Sequence, residues 1–184
     1  MRLILGKEQH TIEHSMRINA SAASVWQHIT EVDIASFRHP PYFALLDIPK
    51  PLRAEVVQPG VGGARTAFFA NHLCFSQKIT EWQPYERYAF TFSADPGFRV
   101  AYFLDLADGP FRLKTGTYRL APSQGGVRLS LSSQYELYGI AGACLYVPVR
   151  LVLALFQRYL LSGIKANAER QEMSLSKFSG APHA

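Results

Sequence analysis

The sequence predicts an α+β fold, a curved antiparallel β-sheet of six to seven strands wrapped around a long C-terminal α-helix, with two short helices after strand 1. Two observations predict it. Between residues 54 and 138 apolar side chains alternate with period two in successive short segments, separated by turns carrying glycine or proline. From about Val147 the period lengthens to that of a helix and holds for more than twenty residues. A sheet of that size buries one face, and the last helix is the only remaining element large enough to cover it.

The elements follow in order. Met16 and Ile18 alternate with Arg17 and Asn19 in a half-buried strand running from Glu13 to near Ala20. Ser21 is a good N-cap for a helix from Ala22 to Glu31, on which Val25, Trp26 and Ile29 share a face. The segment from Asp33 to Leu46 contains His39-Pro40-Pro41, which predicts a broken helix or loop. Three hairpins are expected: Ala54–Gln58 with Ala64–Ala70, Leu73–Trp82 with Arg87–Ala94, and Leu113–Ala121 with Val127–Tyr138. Between the second and third, Phe98, Val100, Tyr102 and Leu104 alternate before Ala107-Asp108-Gly109-Pro110, as an extra strand or a flap. The final helix takes Pro148 into its first turn and carries Val152, Leu153, Phe156, Leu160 and Ile164 on its apolar stripe. At about 1.5 Å per residue it should be roughly 35–40 Å long. Residues 179–184 read as a frayed tail.

With 184 residues, 48% hydrophobic and 18% charged, the chain should form one domain over residues 11–176, flanked by terminal extensions at 1–10 and 177–184. Twelve Phe and nine Tyr exceed what a compact core of this size needs, and the surplus is available to line a cavity. The net charge of +5 is spread along the chain rather than gathered in a stripe, which argues against nucleic acid as a partner. Cys74 and Cys144 form no metal or disulfide motif, and the apolar run Leu3–Leu5 is too short for a signal peptide, so a reducing, cytoplasmic setting is expected. The apolar stretch from Gly139 to Gly163 is interrupted by Arg150 and Gln157-Arg158, so no transmembrane segment is expected.

Several phrases resemble the START-like superfamily, also called SRPBCC or Bet v 1-like, and within it the polyketide cyclase/dehydrase-like group. They are Ile18-Asn19-Ala20-Ser21-Ala22 with Val25-Trp26, Gly62-Gly63-Ala64-Arg65, Ile79-Thr80-Glu81-Trp82-Gln83-Pro84 before Tyr88-Ala89-Phe90, Gly116-Thr117-Tyr118-Arg119-Leu120, and Ile164-Lys165 with Ala168-Glu169. The resemblance spans roughly residues 11 to 173 and implies the helix-grip fold, in which a cavity between sheet and helix holds a lipid, polyketide or quinone. No cofactor is expected.

Motifs for metal or nucleotide chemistry are missing from the string. His10 and His14 have HxxxH spacing but enter a predicted strand, and Gly60-Val61-Gly62-Gly63 sits between strands rather than opening a helix. The catalytic candidates are therefore isolated polar groups. Gln77 and Glu81 are in phase with Phe75 and Ile79; Glu81 is a general base if buried, or a strand-end residue beside solvent. Ser133 and Tyr135 continue the face of Leu129 and Leu131 and offer hydroxyls to a ligand. Arg65, which matches an arginine common in the family's first hairpin, points inward or outward according to a one-residue choice of register. His39, beside two prolines near the expected cavity mouth, is an acid-base candidate or a plain loop histidine. The expected cavity lining is Phe43, Phe69, Phe75, Phe90, Phe92, Tyr102 and Tyr118 from the sheet side and Leu153, Phe156 and Leu160 from the helix.

Three functions remain open at this point: binding of a hydrophobic small molecule, a polyketide aromatase/cyclase using the same cavity, and an interaction or regulatory module, monomeric or paired through the flap at Phe98–Leu104.

Overall fold

The computed structural model describes residues 6–70, 72–100, 102, 104–107 and 109–179, with side chains as far as 176. The apolar run Leu3–Leu5, Asp108 in the expected turn, and residues 180–184 of the expected tail lie outside the described residues.

The chain runs β1 (Lys7–Ile18), α1 (Ala22–Thr30), β2 (Val32–Asp33), α2 (Pro41–Leu45), β3 (Pro51–Val56), β4 (Ala64–Phe69), β5 (Cys74–Gln83), β6 (Arg87–Ala94), β7 (Arg99–Val100), β8 (Leu104–Asp105), β9 (Phe111–Ser123), β10 (Gly126–Tyr138) and α3 (Gly139–Ser179). Eight strands form one curled antiparallel sheet in the order β1-β10-β9-β6-β5-β4-β3-β2, while β7 and β8 pair as a separate ribbon. The main sheet thus has more strands than expected. The two-residue β2 is too short to show an alternation.

Local chemistry explains the elements before the sheet. The Ser21 hydroxyl caps α1 by accepting from the Ser24 N–H at 3.2 Å, and the buried face of α1 is Val25, Trp26 and Ile29. In α2 the proline pair sets the start: Pro40 is the N-cap and Pro41 fills the first turn, where a missing N–H does no harm.

The last helix differs most from expectation. It begins at Gly139, whose φ of +62° turns the chain out of β10 at a position only glycine takes without strain. Pro148 consequently lies inside the helix, where it removes one backbone hydrogen bond, rather than in its first turn. With 41 residues, α3 is about 60 Å long at ~1.5 Å per residue. By length and composition its Gly139–Ser176 part is apolar enough to cross a membrane, with a mean hydropathy of 1.9 over 18 residues despite Arg150. It is nonetheless packed into this fold, against β1, β10 and α1. Glu169 and Glu172 near its end accept the Asn19 and Ser21 N–H groups, each at 2.8 Å, and so tie α3 to the entrance of α1.

The core has two lobes. One gathers Ile18, Trp26, Tyr88, Leu129, Leu161 and Ile164 around α1. The other gathers Phe69, Phe75, Phe98, Phe111, Leu137 and Val149 under the β7–β8 ribbon. Ala67 and Phe92 touch both lobes. Gly163 settles how closely α3 approaches at the first lobe: a Cβ there would meet Ile34 Cγ2 at 2.6 Å. Its missing side chain permits close packing and leaves no room for a ligand.

Candidate functional site

Two adjoining chambers lie between the sheet and α3. The first, about 90 Å³, is bounded by the ribbon through Phe98, Val100 and Leu104, by Ile48 and Pro49 after α2, and by Leu145, Pro148 and Val149 of α3; every lining residue is apolar. The second, about 80 Å³, lies deeper against β3, β4, β5, β6, β9 and β10 and carries the polar groups Arg53, Arg65, Gln77, Tyr118, Ser133 and Gln157. Phe69, Phe75, Leu113, Leu153 and Phe156 line both. The two spaces are consequently separated only by a wall of side chains. Both are smaller than the roughly 300–1,000 Å³ of pockets for drug-sized ligands, so one molecule occupying both requires that wall to swing aside.

Arg65 points inward and is only 4% exposed. It pairs with Gln77 across β4 and β5, and its Nη1 donates to Gln77 Oε1 at 2.7 Å while Nη2 donates to the Ile29 carbonyl at 3.2 Å. Its Nε has no hydrogen-bond partner among the described residues, while the Tyr118 phenol lies against the same guanidinium. Among the described residues no carboxylate lies within 4.0 Å of it. The guanidinium instead sits 5.0 Å from the centre of the Phe90 ring and 5.7 Å from that of Tyr88, contacts that relieve only part of the desolvation of a buried cation. Burial pushes the Tyr88 phenol up to about 12, with Arg65 opposing the shift. The Tyr118 phenol beside Arg65 is also raised by burial, again against the pull of the guanidinium. Both phenols are therefore neutral near pH 7.

The facing wall is organised by Gln157, 1% exposed on α3. Its Nε2 donates to the Ile12 carbonyl at 3.3 Å and to Ser133 Oγ at 2.9 Å, which leaves its Oε1 to accept from His14 Nδ1 at 2.7 Å. A carbonyl can only accept, so the Ile12 contact fixes the amide orientation and makes Nδ1 the protonated nitrogen of His14. Ser133 Oγ accepts in this chain of bonds, its O–H has no acceptor among the described residues, and Ser133 lines the chamber. The polar equipment of the second chamber is thus donor-rich: a guanidinium on one wall and a hydroxyl on the other.

Of the expected lining residues, Phe69, Phe75, Leu153 and Phe156 border both chambers, and Phe90, Phe92, Tyr118 and Leu160 border the second. Gly116 helps hold Phe90 and Phe92, since a Cβ there would lie 2.8 Å from the Phe90 ring and 3.1 Å from that of Phe92. Phe43 is buried but lies outside both chambers, 5.2 Å from the Tyr159 ring and 6.2 Å from that of Phe156. Tyr102 is a correction: it is 68% exposed, with φ of +66°, and its O–H donates to the Leu45 carbonyl at 3.3 Å. A positive φ takes it out of the alternation that suggested an inward side chain.

The catalytic candidates disperse. A bulge between Ile79 and Glu81 ends the shared face, so that Trp82 rather than Glu81 packs inward, against Trp26 and Tyr88. Glu81 is half-exposed and paired with Arg87. Tyr135 is fully buried but lines neither chamber; it packs on His10 and Phe111 near Arg150, and burial raises its pKa against the influence of that arginine. His39 stacks edge-on to Phe43 at 5.6 Å, also outside the chambers. Arg65 alone of the four faces the cavity. Gln157, read in the sequence as an interruption of an apolar helix, was the missed residue; its place on the Leu153–Phe156–Leu160 stripe was the available signal.

An antiparallel sheet curled around a C-terminal helix, with an apolar space between them, defines a domain of the START-like, Bet v 1-like superfamily. The chain belongs to the family described as polyketide cyclase/dehydrase and lipid transport, which it matches over residues 9–169. Solved structures share the fold at low identity. A Staphylococcus aureus protein of unknown function superposes with a TM-score of 0.60 at 8% identity, covering 91% of this chain and 98% of that one. Ara h 8.0201 gives 0.57 at 18% identity over 88% and 98% of the two chains. A norcoclaurine synthase point mutant from Thalictrum flavum, solved with a transition-state analogue, gives 0.54 at 13% identity over 91% and 98%. No curated protein matches the chain.

Proposed function

We propose that this protein binds an amphipathic small molecule between sheet and helix, with its apolar body in the first chamber and a hydrogen-bond-accepting head in the second. The observation that carries this reading is Arg65, a buried cation that, among the described residues, has no partner for its Nε and no carboxylate within 4.0 Å. Leaving such a group unmatched is unfavourable, and a carboxylate, enolate or carbonyl oxygen would supply what it lacks. The O–H of Ser133 selects for the same kind of head. Family membership favours lipids and polyketide-like molecules, which combine an apolar body with such oxygens.

The test is organic extraction and native mass spectrometry of the purified protein. A co-purifying molecule with an apolar body and an acidic or oxo head is expected. A ligand that is cationic, or one that is retained equally by Arg65→Met, would contradict the reading.

A second reading is favoured by the Tyr118 phenol lying next to Arg65. In an aromatase/cyclase, Arg65 would stabilise an enolate oxygen of a polyketide-like chain while a neutral phenol moves a proton. Turnover of a cyclisable polyketide mimic, lost in both Arg65→Met and Tyr118→Phe, would establish it. Binding without turnover leaves the carrier.

A further inference from the structure

The two halves of α3 have different surroundings. Leu161, Ile164 and Ala168 in its second half are buried core. In the first half the apolar sequence continues but its burial does not: only 11% of the most apolar 18-residue window lies inside the protein. Val149 and Val152 line the first chamber. Ile140, Val147 and Leu151, spaced to share another helical face, are 60%, 70% and 54% exposed, with Ala143 and Cys144 exposed between them. A helix apolar all round is normally enclosed by protein or by lipid. Here the protein leaves one face open.

The charges say what covers it. From Gly139 to Ala168 the helix carries Arg150, Arg158 and Lys165 and no carboxylate. Arg150 and Arg158 are exposed, beside and beyond the apolar face. Apolar side chains flanked by cations alone complement the boundary of an anionic bilayer. A spanning arrangement is ruled out by the rest of the helix, because Gln157 is bonded to Ile12, Ser133 and His14 of the sheet. Withdrawing it would dismantle the core. Pro148 adds a reason for docking here: it is exposed on the outside and lines the first chamber on the inside, so one residue separates that chamber from whatever covers the helix.

We propose that the Ile140–Leu151 face of α3 docks flat in the interfacial layer of an anionic membrane, with Arg150 and Arg158 at headgroup level, so that the wall of the first chamber lies against lipid. This holds independently of the head chosen by Arg65.

Cys144 gives a direct probe. Its thiol is exposed on the face in question, whereas Cys74 is half-buried and donates to Asp95 Oδ2 at 3.0 Å, a contact that raises its pKa. The full chain, labelled at Cys144 with an environment-sensitive dye, is mixed with phosphatidylcholine vesicles and with vesicles containing 30% phosphatidylserine, and unlabelled protein is floated with the same vesicles. A blue shift and co-flotation are expected with the anionic vesicles. Val147→Asp with Leu151→Asp should lower the bound fraction at least tenfold at unchanged circular dichroism, both sites being exposed. Arg150→Gln and Arg158→Gln should each weaken binding about fivefold. Absence of flotation with anionic vesicles would overturn the proposal. So would a concentration-dependent dimer that Val147→Asp dissociates, since a second copy would then be the cover.

Discussion

Arg65 Nη1 donates to Gln77 Oε1 at 2.7 Å within the inner face of the sheet, so the buried guanidinium is met by a neutral amide rather than by a carboxylate. The pair is in register across β4 and β5, which fixes Arg65 toward the second chamber.

Such an arrangement trades stability for recognition. Replacing both partners together, Arg65→Met with Gln77→Leu, removes a buried charge and its acceptor at once and should raise the unfolding free energy by about 1–3 kcal/mol. Arg65→Met alone strands the Gln77 oxygen and should gain less. Urea unfolding of the three proteins checks the order; a double variant less stable than wild type by more than about 1 kcal/mol would show that the pair is a net support of the fold.

Leu153 borders both chambers, so a larger side chain there fills empty space rather than displacing packed atoms. Leu153→Trp should abolish ligand retention in native mass spectrometry while shifting stability by less than about 1.5 kcal/mol. Full retention would place the ligand elsewhere.

Gly163 meets Ile34 too closely for any side chain. Gly163→Val should destabilise by about 1–3 kcal/mol through overpacking, and Ile34→Ala in the same chain should recover part of that loss. A neutral Gly163→Val would mean that α3 shifts freely on the loop after β2.

Glu136 in β10 accepts from Lys7 at 2.5 Å and from the Tyr138 hydroxyl, and these contacts hold its pKa below the usual glutamate range. A carboxyl lowered in the folded state binds its proton more readily when unfolded. Its stabilising contribution is therefore complete above the unfolded pKa and is lost as pH falls through the folded one. Thermal melts from pH 7 to pH 3 should show a shallower acid loss in Glu136→Gln than in wild type. Parallel curves would remove Glu136 from the acid response.

The sheet and its covering helix were legible because alternation and helical periodicity are local signals. So was the capped start of α1 at Ser21. The orientation of Arg65 was not, because register depends on which residue of the partner strand lies opposite, and the turn at Pro59–Gly63 admits either choice. Of the two readings of Glu81, the strand-end one beside solvent holds, because the bulge between Ile79 and Glu81 ends the face it would have shared with Phe75 and Ile79. The start of α3 was misread because proline usually marks a first turn, while here Gly139 begins the helix and Pro148 is carried within it. The ribbon residues Val100 and Leu104 line the first chamber from strands of two residues, too short for their alternation to decide between a strand and a flap.

The central claim is that Arg65, buried without a carboxylate partner among the described residues, selects the head of an otherwise apolar ligand. Calorimetric titration with decanoate and with decanol tests it most directly. Wild-type protein should bind decanoate at least tenfold more tightly, and Arg65→Met should bind the two alike. Equal binding of both by wild type, or an undiminished preference for decanoate in Arg65→Met, would contradict it.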